Sequence, residues 1–146
     1  MNIFVLDNNP RLAAQYHCDK HVPKMILESA QMLSTVLGGP YKPTHKNHPC
    51  TKWVAESRQN AKWLYDLMCW LDVEYRWRFN KRQRHTSFQK CDYLITALNT
   101  LPAISQTPFA QAMPDEYKND DAVTAYRAYY RTKEFAEWRN GAPAWW

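Results

Sequence analysis

The stretch DKHVPKMILE, residues 19–28, begins the pattern on which the predicted fold depends. Pro23 suits the first turn of a helix, where its missing N–H is not needed. From Met25 to Leu37, apolar residues recur at spacings of three and four, which is typical of a helix that packs one face against a core. Gly38 and the residues after it end this pattern. The stretch therefore predicts a core helix over residues 22–37.

Glu28 is the only acidic residue between Lys20 and Gly38, and it lies beside the apolar stripe of this helix. Acidic residues at the edge of a core are rare unless they are paired. Two interpretations are open, a structural partner or a functional site. In either case we expect Glu28 to be largely buried and to face His21 or an arginine of the middle helix.

The remaining patterns also predict helices, which makes the expected fold all-α. The chain should form a single compact domain, residues 1–146, of four to five helices with a short extended N-terminal segment. Residues 2–7 are either that extended segment or a small strand. The further helices are predicted over residues 10–18, from residue 49 or 51 to about residue 79, from a capping box at Thr86 and Gln89 to residue 99, and from 121 to 138.

The composition is basic and rich in aromatic residues. Lys and Arg number 19 against 14 Asp and Glu, and the chain has seven Trp, nine Tyr and five Phe. Such a surface suits phosphates and bases that can stack. The four cysteines form no C-x-x-C pair and no apolar run is long enough for a membrane span, so we expect a cytoplasmic protein with free thiols and no membrane contact.

Phosphate groups would have to be held by cations, because three glycines are too few for a glycine-rich phosphate loop. The loop of residues 41–49 is positively charged, and a second basic cluster ends the middle helix. A solvated surface role is the alternative for each residue. The candidate phosphate-binding residues are Lys20, Lys24, Lys42, His45, Lys46, His48, Arg76 and Arg78.

Two groups of residues have side chains that bind zinc. They are His17 with His21, and His45 with His48 and Cys50. The first pair lies at a predicted helix break, and the second matches no standard zinc-finger spacing. We therefore predict no metal and no cofactor.

The chain ends in an apolar tail, residues 142–146, with two tryptophans. A small monomer rarely exposes such a patch. The tail is expected either to pack back on the domain or to join two subunits, and we predict a homodimer.

The segment Asp19-Lys20-His21-Val22, with Glu28 following in the same helix, resembles the motif of the small phage pyrimidine-dimer DNA glycosylases of the endonuclease V type. The chain also resembles uncharacterised proteins of tailed phages, which implies a phage origin and the cytoplasm of a host cell. Further similar features are Asn47-His48 before the middle helix, Arg78-Phe79 at its end, and an aromatic C-terminus. The resemblance implies an all-helical domain, catalytic roles for Glu28 and His21, and damaged DNA as the partner.

In that family the attacking group is the α-amine of a small second residue, exposed when the initiator Met is removed. This chain begins Met1-Asn2, and a bulky Asn leaves the Met in place. The motif also lies farther from the N-terminus. We therefore expect the amine to lie away from the site, and no covalent adduct with abasic DNA to be trapped by borohydride.

Three functions remain open. The first is a phage-type nucleotide-binding protein that captures or cleaves a small phosphate-bearing nucleotide, such as a cyclic-nucleotide or ADP-ribose signal of host defence. The second is a pyrimidine-dimer-type DNA glycosylase and AP lyase. The third is a structural or protein-interaction module. The sequence ranks them in this order.

Overall fold

The computed structural model describes all of residues 1–146 and contains six α-helices and no strand. The all-α prediction is confirmed, with one helix more than expected. Two short 3-10 helices, Asp92–Thr100 and Asp115–Tyr117, complete the secondary structure. The α-helices are α1 (Pro10–Tyr16), α2 (His21–Leu37), α3 (Pro49–Glu56), α4 (Arg58–Arg78), α5 (Thr86–Cys91) and α6 (Ala122–Tyr130).

Helices α2 and α4 form the centre of the domain, and α1 and α3 also pack against α4. The apolar stripe predicted for α2 is buried, including Met25, Ile26 and Leu33. The N-terminal segment is extended rather than a strand, and its residues Ile3 to Leu6 are buried in the same core. The segment therefore brings the N-terminus of the chain against the start of α2.

The predicted middle helix is two helices, which corrects the single helix expected from residue 49 to 79. Ser57 interrupts it with an extended backbone, and its Oγ accepts the Asn60 N–H at 3.1 Å as an N-cap. The buried Asn60 side chain then donates to Trp53 O and to Thr107 Oγ1, each at 2.7 Å. These long-range hydrogen bonds favour the break over a continuous helix.

Three other helices differ from the prediction at one end or both. The first ends at Tyr16 instead of residue 18, and the helix expected to reach residue 99 ends at Cys91. His85, not Thr86, caps α5, since its Nδ1 accepts the Ser87 N–H at 3.1 Å. The last helix ends at Tyr130 instead of residue 138.

The aromatic tail packs back on its own domain. The Arg131 guanidinium donates twice to Trp145 O, at 3.0 and 2.6 Å, and the Trp145 ring meets the Tyr16 ring edge to face. Trp146 stays partly exposed. The homodimer stays a prediction. No helix of the protein combines the length and the apolar character that crossing a membrane requires.

Candidate active site

A cavity of about 250 Å³ opens where the N-terminal segment meets α2 and the chain around the end of α6. Two larger clefts, of about 400 and 390 Å³, contain neither Glu28 nor His21. The smaller cavity contains both. Each of the three segments supplies three lining residues: Met1, Asn2, Phe4, His21, Lys24, Glu28, Tyr129, Lys133 and Phe135.

The N-terminus is held in this cavity by the side chain of Asn2. Asn2 Oδ1 accepts the N–H groups of Ile3 and Phe4, at 2.7 and 3.1 Å, and its Nδ2 donates to Ala112 O at 2.9 Å. Phe4 has a φ of 33°, which is strained for a residue with a side chain. Such strain persists where the surroundings over-determine the backbone and is common at functional sites. The segment therefore holds the chain terminus in one defined place.

Glu28 forms an ion pair with the α-amino group of Met1. The distance from Met1 N to Glu28 Oε1 is 3.2 Å, and the side chains of the two residues are only 3% and 13% exposed. The prediction that Glu28 faces His21 or an arginine of the middle helix is therefore wrong, although His21 lines the same cavity. The expectation that the N-terminal amine would lie away from the site is also wrong, because the buried N-terminal segment brings it to α2.

His21 is buried in the wall of the same cavity, where aromatic rings and one hydrogen bond fix its position. Its ring stacks on Phe4 with centroids 4.8 Å apart, and its Nδ1 lies 2.9 Å from the hydroxyl of Tyr130. Burial, followed by the positive charges of His17 and Lys133, lowers the pKa of His21 to about 3. The imidazole is therefore neutral at physiological pH.

Lys133 brings a second amine to the cavity. Its Nζ lies 4.4 Å from the centroid of the Tyr129 ring and 5.2 Å from that of Phe4, and it pairs with no carboxylate. Burial, followed by the positive charge of Lys24, lowers the pKa of Lys133. Lys20 does not line the cavity, but its Nζ lies 4.8 Å from the ring centroid of Phe135, which does.

The other predicted phosphate-binding residues are dispersed. Lys42, His45 and Lys46 are exposed on their loop, and Lys46 lines a separate groove of about 240 Å³. His48 caps α3, and partial burial, followed by the positive charges of the N-terminus and of His45, lowers its pKa. None of these loop residues lines the cavity, but His48 lies near enough to Met1 and Glu28 for their charges to act on its pKa.

The two arginines predicted to bind phosphate, both in the last turn of α4, form ion pairs within the protein. The Arg78 side chain has no exposed surface and pairs with Glu74 and Asp19. Arg76 pairs with the buried Asp72 at 3.1 Å. We therefore assign Arg78 to the structure of the domain and leave it out of any phosphate-binding surface.

The two candidate zinc groups do not come together. The rings of His17 and His21 lie 6.4 Å apart, and His17 Nδ1 lies 2.7 Å from Ala13 O. No group of three or more His, Cys, Asp or Glu side chains in the protein is placed to hold a metal ion.

Several residues of the cavity were missed by the sequence analysis: Met1, Asn2, Phe4, Tyr129, Lys133 and Phe135. The first three looked like part of an apolar core segment. The last three lie at the end of α6 or beyond it, and their spacing carries no signal for a site. Only the chain's return to the N-terminus brings them to Glu28.

An α-amine that faces a carboxylate inside a cavity is suited to covalent chemistry at an electrophilic carbon. Comparison with known proteins agrees with this class of site. The family model of the pyrimidine dimer DNA glycosylases matches residues 1–87, and the chain belongs to that family. No curated protein and no solved structure matches the chain.

The matched residues include Met1, His21 and Glu28, whereas Tyr129, Lys133 and Phe135 lie outside them. One wall of the cavity is therefore built from the part of the chain that the family model does not cover.

Proposed function

We propose that this chain is a DNA glycosylase and AP lyase that acts on pyrimidine dimers, with the α-amino group of Met1 as nucleophile and Glu28 as its acid–base partner. The observation that carries the proposal is the 3.2 Å contact between Met1 N and Glu28 Oε1, within the residues that match the family. Membership of the family favours this function over the capture of a small nucleotide, which ranked first on the sequence alone.

The contact suits the first chemical step. Glu28 takes a proton from the ammonium group of Met1, and the free amine attacks C1′ of the deoxyribose. A C1′–N bond forms as the glycosidic bond breaks, and the electron pair leaves with the base. Opening of the sugar ring then gives an iminium ion, with the proton on O4′.

The lyase step follows from that iminium ion. Loss of a proton from C2′ expels the phosphate at C3′, which breaks the strand, and water then releases the amine. Glu28 is the nearest base to the iminium nitrogen and lies in the same cavity. A single amine–carboxylate pair can therefore support both base release and strand cleavage.

The charges around the cavity suit a DNA backbone. Lys24 and Lys133 line the cavity, Lys20 lies against Phe135 at its edge, and none of the three forms an ion pair within the protein. Cations that are free of internal partners can replace the counterions of phosphate groups. We assign backbone contacts to Lys20 and Lys24, with the exposed loop residues Lys42 and Lys46 as further candidates.

Borohydride trapping tests the nucleophile. The full chain is incubated with a duplex that contains one abasic site, reduced, digested and mapped by mass spectrometry. We expect one covalent adduct on the N-terminal peptide, with the initiator Met retained. An adduct on Lys133 or on an exposed Asn2 amine would contradict the assignment to Met1. The absence of any adduct would contradict the lyase.

Glu28→Gln tests the acid–base role, since Gln keeps the size of the side chain and cannot take the proton. We expect base release from a pyrimidine-dimer duplex to fall by about 100-fold or more. Glu116→Gln is the matched control, because Glu116 is exposed on the 3-10 helix Asp115–Tyr117, outside the cavity. Equal rates for the two variants would overturn the role of Glu28.

A further inference from the structure

A chain of two hydrogen bonds leads from the backbone to His21. The Cys18 N–H donates to the hydroxyl oxygen of Tyr130 at 2.9 Å, and this oxygen lies 2.9 Å from His21 Nδ1. Tyr130 has no exposed surface and does not line the cavity, whereas His21 does. The Nδ1 edge of the imidazole therefore faces the protein interior.

Only one arrangement of protons in this network gives both the Cys18 N–H and the Tyr130 O–H a strong acceptor. The tyrosine oxygen already accepts the Cys18 N–H, so the hydroxyl proton is free to go to His21 Nδ1. If Nδ1 carried the proton instead, the buried hydroxyl proton would have only the Cys18 thiol nearby, and sulfur is a weak acceptor. Leaving a buried donor without a good acceptor is unfavourable. Nδ1 is therefore the acceptor.

We propose that Tyr130 holds His21 as the tautomer protonated at Nε2, and that this N–H donates to the O2 carbonyl of the departing pyrimidine. The inference rests on the proposed glycosylase function. His21 is the residue that touches the substrate, and Tyr130 is a positioning residue. Tyr130 lies outside residues 1–87, which match the family model, so the Tyr130–His21 contact depends on a part of the chain that the model does not cover.

The Nε2 edge is the one available to a substrate. Nδ1 and Nε2 lie on opposite sides of the ring, and Nε2 has no hydrogen-bond partner in the protein. It is not among the buried polar atoms without a partner, unlike Nε2 of His17, so it has access to the cavity. The rings of Phe4 and Phe135, at 4.8 and 5.4 Å, fix the plane of the imidazole.

The charges around His21 keep it neutral. His17 precedes it in the chain, Lys20 and Lys24 lie on either side of it, and Lys133 faces it from the segment after α6. Each is a cation or becomes one on protonation, and burial acts in the same direction, so the pKa of His21 is about 3. The side chain can donate a hydrogen bond at neutral pH without ever becoming an imidazolium.

A neutral donor matches the charge that develops during base release. As the glycosidic bond breaks, its electron pair moves onto the pyrimidine ring, and part of the negative charge reaches O2. A hydrogen bond from Nε2–H becomes stronger as that charge grows, so it lowers the barrier with no transfer of the proton. An abasic site has no base, so the same bond has no role in strand cleavage at such a site.

Nitrogen NMR of the free protein, with labelled histidine, tests the tautomer without reference to activity. In the wild-type protein we expect His21 to show a protonated Nε2 and an unprotonated Nδ1, with no titration between pH 5 and pH 8. In Tyr130→Phe, we expect both tautomers to be populated. A His21 protonated at Nδ1, or an imidazolium at pH 6, would overturn the proposal.

Kinetics on two substrates test the role in base release. We expect Tyr130→Phe to lower kcat for a pyrimidine-dimer duplex by about tenfold with little change in KM, since one hydrogen bond differs in the transition state. Cleavage of an abasic duplex should change by less than about twofold, because an abasic site has no base to accept the hydrogen bond. Tyr41→Phe, which removes a hydroxyl that donates to Ser87 Oγ outside the cavity, is the matched control and should behave as wild type.

Replacement of His21 itself separates donation from packing. His21→Gln keeps an N–H donor near the position of Nε2, and His21→Leu removes it. We expect His21→Gln to retain at least tenfold more base release than His21→Leu, with equal abasic cleavage by both. Equal base release by the two variants would overturn the donor role. If the wild-type protein does not cleave an abasic duplex, the proposed function itself would be overturned, and not only the role of His21.

Discussion

The Arg78 guanidinium donates to Asp19 Oδ1 at 3.2 Å from a side chain with no exposed surface. The same guanidinium pairs with Glu74 at 2.8 Å and donates to the carbonyls of Gln15 and His17. The first residue of the DKHV motif is therefore structural. It joins the turn between α1 and α2 to the end of α4, and so fixes where α2 presents its site residues.

Arg78→Met should destabilise the domain strongly, because it leaves the carboxylates of Asp19 and Glu74 without their buried partner. Breaking a buried ion pair on one side costs about 3–5 kcal/mol. Chemical denaturation measures the free energy of unfolding. Lys62→Met breaks the exposed pair with Asp66 and should cost less than about 1 kcal/mol. Similar losses for the two variants would contradict the structural role of Arg78.

The protein should lose stability as the pH falls below neutrality, because His17 and His21 are buried in the neutral form. Burial lowers their pKa from 6.5 to about 4 and about 3. Between pH 6.5 and the lowered pKa values, the unfolded chain binds more protons than the folded one. The free energy of unfolding is therefore highest above pH 6.5 and declines as the pH falls toward 4. The slope is at most about 1.4 kcal/mol per pH unit for each histidine.

Thermal unfolding from pH 7 to pH 4 checks this slope. His17→Leu removes one of the two buried groups and should flatten the curve, whereas His45→Gln changes an exposed histidine and should leave it unchanged. A melting temperature that is flat from pH 7 to pH 5 in the wild-type protein would refute the assignment.

Binding to DNA should weaken with salt, because the lysines around the cavity replace phosphate counterions. Lys24→Met should reduce the slope of log K against log salt by about 1. Titration of a fluorescent duplex at several salt concentrations measures that slope. Lys118→Met removes a lysine already paired with Asp115 at 2.8 Å, and it serves as the control. Unchanged slopes in both variants would place the DNA elsewhere on the surface.

Ser57→Ala should destabilise the break between α3 and α4, since the Asn60 N–H loses its capping oxygen. The loss of such an N-cap costs about 1 kcal/mol. Urea denaturation measures it, with Ser105→Ala in an exposed segment as the control. If Ser57→Ala lowers the free energy of unfolding no more than the control does, the side-chain hydrogen bonds of Asn60, and not the cap, stabilise the break between α3 and α4.

Local chemistry was enough to predict the all-α fold, helix α2 and the place of Glu28 at the edge of the core. The apolar spacing from Met25 to Leu37 and the glycine after it determine α2, because helix periodicity and capping act over a few residues. The same patterns placed Glu28 at the edge of the core and His21 near it. They could not separate α3 from α4, since the hydrogen bonds of Asn60 to Trp53 and Thr107 reach beyond the helix.

The tertiary structure decided which groups meet in the cavity. Met1 reaches Glu28 because an extended apolar segment is buried in the core, and Tyr130 reaches His21 because α6 returns to the same place. It also decided that Arg78, which looks like a phosphate ligand in the sequence, is buried between carboxylates. Burial depends on the packing of the whole domain. It lowers the pKa of His21, and it leaves the Tyr130 hydroxyl with only one strong acceptor, His21 Nδ1.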